Sequence, residues 1–137
     1  AASKPPTFAA GAEVSVEWIA EGHYRKFGST EKGVETSETH AQIKVSFPTI
    51  TTAKSPTRAY DFAVRCEATV GDAVRTVCES RVFSPHFAMG EQWEPARAWC
   101  LFPAAAIPSG GGVRTRFVVT PCDSWGNEGQ PLASPWQ

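Results

Sequence analysis

Several features that would narrow a reading quickly are missing from this 137-residue chain. No apolar run approaches the roughly 20 residues that a membrane-crossing helix needs. Neither sign of charge dominates: 13 basic residues stand against 14 acidic ones, with no basic block. That argues against nucleic acid or an anionic membrane as partner. The four cysteines show no CxxC spacing and no HxxxH accompanies them, which argues against structural zinc. Methionine occurs once, no internal repeat is visible, and no segment has the apolar spacing of an amphipathic helix. An initiator Met and a charged-then-apolar leader are also lacking, so the expectation is a mature or excised piece of a larger protein. What is present is a 42% hydrophobic, 20% charged chain punctuated by 11 Gly and 11 Pro. Such a composition buries one core and turns often, which suits a single all-β domain.

Alternation of apolar and polar residues marks the strands. Val14, Val16, Trp18 and Ala20 share one face of segment 12–21, and Ala41, Ile43, Val45 and Phe47 one face of 41–47. The clearest run is 58–70, with Tyr60, Phe62, Val64, Cys66, Ala68 and Val70 on one side. Segments 74–83, 97–102, 113–121 and 131–133 complete a set of about seven, and 97–102 (RAWCLF) is apolar on both faces. Seven short strands predict a two-sheet sandwich of immunoglobulin or fibronectin type III-like kind. Residues 1–11 read as linker, 12–133 as the sandwich and 134–137 as tail. The polar stretch 22–40 is long for a connection between strands.

Register bears on the cysteines. A two-residue turn at Gly71-Asp72 pairs even positions with odd ones, placing Arg75, Glu79 and Arg81 beside the apolar face of 60–70. A three-residue turn, Gly71-Asp72-Ala73, keeps those charges out and sets Val74, Cys78 and Val82 on the apolar face, with Cys66 opposite Cys78. Charge burial favours the second register. Cys66 and Cys78 are then either bridged across the strands or two neighbouring buried thiols. By elimination Cys100 would pair with Cys122. An even cysteine count suits an oxidising, extracytoplasmic compartment.

From Ile107 onward the chain resembles the end of a fibronectin type III-like domain. Ile107-Pro108, then Val113 and alternating Thr115, Phe117 and Val119, is similar to that family's leucine–proline–tyrosine corner, with Val113 in place of the tyrosine. Residues 123–132 (DSWGNEGQPL) resemble its polar turn and last strand. The order of short motifs, Pro6-Thr7-Phe8, Val45-Ser46-Phe47-Pro48, Tyr60-Asp61-Phe62-Ala63-Val64, Val82-Phe83-Ser84 and 119–127, resembles the C-terminal sandwich domain of some bacterial calcineurin-like metallophosphoesterases. The resemblance implies a domain that accompanies a catalytic unit and is not itself catalytic.

The residues agree with that implication. A dimetal phosphoesterase centre needs several His, Asp and Asn ligands, whereas the histidines are His23, His40 and His86 and neither DxH nor GNH[DE] occurs. In Gly126-Asn127-Glu128 the glutamate stands where a ligand histidine is required, so Asn127 reads as a turn residue. No GxSxG elbow is present, and Glu91 and Glu94 around Trp93 read as solvated loop acids. No metal or organic cofactor is expected. Binding is the better expectation. Five tryptophans are many for this length; Trp93, Trp125 and Trp136 fall in loops or the tail, whereas Trp18 and Trp99 fall in strands and are expected in the core or between sheets. Trp93 and Trp125, together with Tyr24 and Arg25 of the cluster 23–27, form the candidate binding surface. The expected role is a non-enzymatic accessory domain that packs on the catalytic domain of its parent polypeptide or contacts a protein or glycan surface. The alternative is a free-standing carbohydrate-binding module using the loop tryptophans.

Overall fold

The computed structural model describes residues 5–19, 41–49, 59, 61–83 and 97–137. Among these residues seven strands form two antiparallel sheets: β1 (Ser15–Ile19), β2 (Gln42–Pro48), β3 (Asp61–Val70), β4 (Ala73–Phe83), β5 (Arg97–Pro103), β6 (Thr115–Cys122) and β7 (Leu132–Ala133). One sheet has the order β1-β2-β5 and the other β4-β3-β6-β7. The chain is therefore an all-β two-sheet sandwich.

The period-2 pattern sets the two faces of each strand. On β2, Ile43, Val45 and Phe47 are buried between half-exposed Gln42, Lys44 and Ser46. Phe62, Val64, Cys66 and Ala68 are the inward set on β3, and Phe117 and Val119 that of β6. Aromatic contacts knit the core: Phe47 lies 5.0 Å from Phe62, and Phe102 of one sheet 5.5 Å from Phe117 of the other. The ambiguous strand β5 resolves by parity, because Cys100 pairs with inward Val45. Ala98, Cys100 and Phe102 face the core, and Arg97, Trp99 and Leu101 face out.

The β3–β4 hairpin corrects the expected turn. Val70 pairs with Ala73, so the turn has two residues, and Gly71 at its first central position carries the positive φ (62°) that suits such a turn. Pairing runs even-to-odd as far as Glu67↔Thr76; then the register shifts, leaving Val77 as the extra residue, and Cys66 pairs with Cys78. The bulge turns Glu79 and Arg81 outward, the result that charge burial requires. Arg75 stays on the inward side, opposite Ala68, at the exposed tip of the hairpin. Val74 does not join the apolar face: it pairs with outward Thr69 and is exposed.

Packing also extends beyond the expected domain limits. Pro6 is fully buried and Phe8 stacks 6.0 Å from Phe62, so part of the expected linker belongs to the core. The turn after β6 closes over this segment, and a Cβ at Gly129 would overlap the Pro6 carbonyl oxygen. The expected tail is anchored too: Gln137 N donates to Thr115 O at 2.9 Å and Thr115 N to Gln137 O at 3.1 Å.

Candidate functional site

Of the expected binding residues, Tyr24, Arg25 and Trp93 lie outside the described residues. Trp125 stands at the tip of the turn following β6 with its side chain 77% exposed. Asp123 builds that turn. Its carboxylate accepts from Trp125 N and Asn127 N, both at 2.9 Å, and from Asn127 Nδ2 at 3.0 Å. Its carbonyl accepts from Gly126 N at 3.2 Å. Burial pushes the Asp123 carboxyl up, but the bonds from Asn127, Trp125 and Gly126 outweigh it and hold the group below its ordinary range. Cys122 pairs with Glu128, fixing the base of the turn. Trp125 is thus presented by an ordered frame.

A second aromatic surface was not anticipated. Trp18 and Trp99, expected in the core or between the sheets, are 64% and 53% exposed. Trp18 lies opposite inward Ile43 but on the edge strand β1. Trp99 has the outward parity of β5, where RAWCLF offered apolar residues to both faces. Around Trp99, the Lys44 ammonium lies 5.0 Å from the ring centroid, and Arg97 reaches across β2 to donate to Ser15 Oγ at 3.0 Å. Glu17 and Leu101 flank Lys44 on the neighbouring strands. The signal for this surface was the Lys44–Ser46 side of β2, since strands paired in register share their faces.

The outer face of the four-stranded sheet is organised differently. Glu67 accepts from Arg65 Nε at 3.1 Å and Arg116 Nε at 2.8 Å, while Arg116 lies 4.7 Å from the Trp136 ring centroid. Burial raises the Glu67 carboxyl, but its bonds to Arg116 and Arg65 bring it below the usual carboxylate range. Buried Asp61 pairs with Arg81. Beside these charges is a shallow concavity of about 440 Å³ bordered by Arg65, Glu79, Arg81, Thr120 and Glu128.

The four cysteines are free thiols, so neither expected bridge is present in the structure. The proposed partner of Cys100 is also misplaced. Cys100 faces the core from β5, whereas Cys122 has outward parity on β6, beyond the opposite sheet. Burial and the nearby Cys78 push the Cys100 thiol up to about 12. Among the described residues no group of three or more His, Cys, Asp or Glu side chains is arranged to hold a metal ion. Comparison with protein-family models, with curated proteins and with solved structures finds no match for the chain.

Proposed function

We propose that this chain is a non-catalytic, fibronectin type III-like accessory module of a larger extracytoplasmic, metallophosphoesterase-like protein, working through contacts with its parent polypeptide or a partner surface. The observation that carries the contact role is Trp125, a large indole held largely exposed on a turn that Asp123 has already ordered. An exposed aromatic on a rigid frame loses little conformational freedom on binding, which is the property of a contact anchor. The fibronectin-like reading draws support from the fourth strand, which stays beside the third instead of joining the first sheet. Association with a phosphoesterase rests on the sequence resemblance, from Pro6-Thr7-Phe8 to the closing 119–127 segment.

The test is to read the coding sequence upstream of Ala1 and, where it encodes a dimetal ligand set, to co-purify that unit with this chain. Stable association weakened at least tenfold by Trp125→Ala supports the proposal. A secretion signal immediately before Ala1, with no catalytic unit, counts against it.

The Trp99 surface favours one second reading, a carbohydrate-binding module. An indole lying on a sheet face, with Lys44 over its ring and Ser46 opposite it, can stack on a sugar ring while those groups hydrogen-bond its hydroxyls. Saturable quenching of tryptophan fluorescence by an oligosaccharide, lost in Trp99→Ala, would favour the module. No response across a glycan panel would remove it.

A further inference from the structure

The inner side of the β3–β4 hairpin carries two cysteines directly opposite one another. Cys66 is fully buried on the central strand β3; Cys78 is half-buried on the edge strand β4. They are register partners, and Cys78 packs against the core cluster that contains Cys66. Cys100 joins the same buried cluster from the facing sheet. Three thiols allow more than one bridge, and geometry selects among them. Directly opposed strand residues have Cα atoms about 4.5–5.5 Å apart, inside the range a disulfide spans. Cys100 has no such partner among them, because β5 lies in the other sheet and is not paired with β3 or β4. Cys66–Cys78 therefore fits directly, and Cys122, on the outward side of β6, is turned away from the cluster.

We propose that Cys66 and Cys78 form a cross-link site whose oxidation locks the bulged register of the hairpin. The pair sits immediately beside the register shift that leaves Val77 unpaired. Without the bulge, the two-residue turn would carry even-to-odd pairing onward and set Glu79 against Val64 and Arg81 against Phe62. A Cys66–Cys78 bond exists only in the shifted register, so it removes that alternative. The oxidant is a low-molecular-weight disulfide. Cys78, the more accessible sulfur, attacks it as thiolate, forming a mixed disulfide and expelling one thiol. Cys66 then attacks the Cys78 sulfur and expels the second. Two electrons pass from the pair to the reagent, and the two thiol protons end on the released thiols. Burial raises both groups, Cys66 to about 12, so the exchange is slow at neutral pH and quickens as pH rises.

Incubation of the full chain with oxidised glutathione at about pH 8.5, followed by thiol labelling in denaturant and tryptic mapping without reductant, tests this. Cleavage after Arg65, Arg75, Arg81, Arg97, Arg114 and Arg116 puts each cysteine in a different peptide. The expected result is loss of two labelled thiols, a linked pair 66–75/76–81, and a thermal midpoint raised by roughly 5–10 °C. Cys100→Ala should bridge as the parent chain does. Cys78→Ser, a change on the edge strand, should retain its three cysteines without an internal bond and show no rise in midpoint. Four labelled thiols after oxidation, a Cys78–Cys100 link, or a glutathione adduct on Cys78 that never resolves would each overturn the proposal.

Discussion

Outside the four-stranded sheet, Glu67 joins Arg65 and Arg116, and Asp61 joins Arg81; outside the three-stranded sheet, Lys44 turns its ammonium to Trp99 and Arg97 turns to a serine hydroxyl. Both faces mix charges with an aromatic ring, yet they differ in how far their groups satisfy one another. The Glu67 side chain is only 12% exposed, and each of its carboxylate oxygens accepts from a guanidinium group. Trp99 keeps about half of its surface in water. A face whose charges are already paired loses those pairings on desolvation, whereas an exposed indole gains by being covered. The difference favours the Trp99 face over the outer face of the four-stranded sheet as a surface for contact.

The frame around Trp125 should be the most sensitive part of the four-stranded side. Asp123→Ala removes acceptors from Trp125 N, Asn127 N and the Asn127 amide. The expected loss is about 2–4 kcal/mol in urea unfolding, since three donors lose a charged acceptor together. Asp123→Asn should recover part of it by keeping one carbonyl acceptor. A loss below about 0.5 kcal/mol for the alanine variant, the range of ordinary surface changes, would show that the turn is held by its ends, at Cys122↔Glu128 and Gly129 N to Pro121 O.

Glu67→Gln should cost less, about 1–2 kcal/mol at pH 7, because Arg65 and Arg116 remain partly hydrated when the charge is lost. The pH dependence has a definite sign. The Glu67 carboxyl is lower in the folded chain than its ordinary 4.5. Its contribution is therefore fully present above that value and lost as pH falls through the folded one. The stability gap between parent and Glu67→Gln, measured by urea unfolding at successive pH values, should shrink in that acid window. A gap that stays constant would mean that the glutamate acts through packing, and the distinction between the two faces would weaken.

Much of the fold was legible because period-2 alternation is strong where one side of a strand is buried. Phe62, Val64 and Cys66 announced both their strand and their face. The bulge at Val77 was not legible. Charge burial indicated that Glu79 and Arg81 should face out, but a longer turn and a later inserted residue give the same parity at Cys66 and Cys78. Only the backbone distinguishes them, and Val74 was assigned to the wrong face as a result. Trp99 was misread for a related reason: RAWCLF has apolar residues on both sides, so its facing depends on pairing with Val45 and Ser46 of β2. The domain limits missed Pro6 and Phe8 because local pattern does not report packing against Phe62 and Gly129, which lie far along the chain.

Trp99→Ala should have the smallest effect on folding, and its smallness is informative. The indole contributes a cation–π contact of about 0.5–1 kcal/mol with Lys44 at an exposed site. Part of its apolar surface is solvated already in the folded chain. Truncation should therefore cost no more than about 1 kcal/mol in urea unfolding. Lys44→Met separates the two contributions, removing the ammonium while keeping a side chain over the ring. If the indole serves the sheet itself, Trp99→Ala should destabilise well beyond Lys44→Met. If it serves contact, both variants should fold nearly as the parent does, while Trp99→Ala alone weakens association with the partner or glycan by at least tenfold. The separation of a small folding effect from a large binding effect is what an exposed anchor requires, and a structural tryptophan would show the reverse.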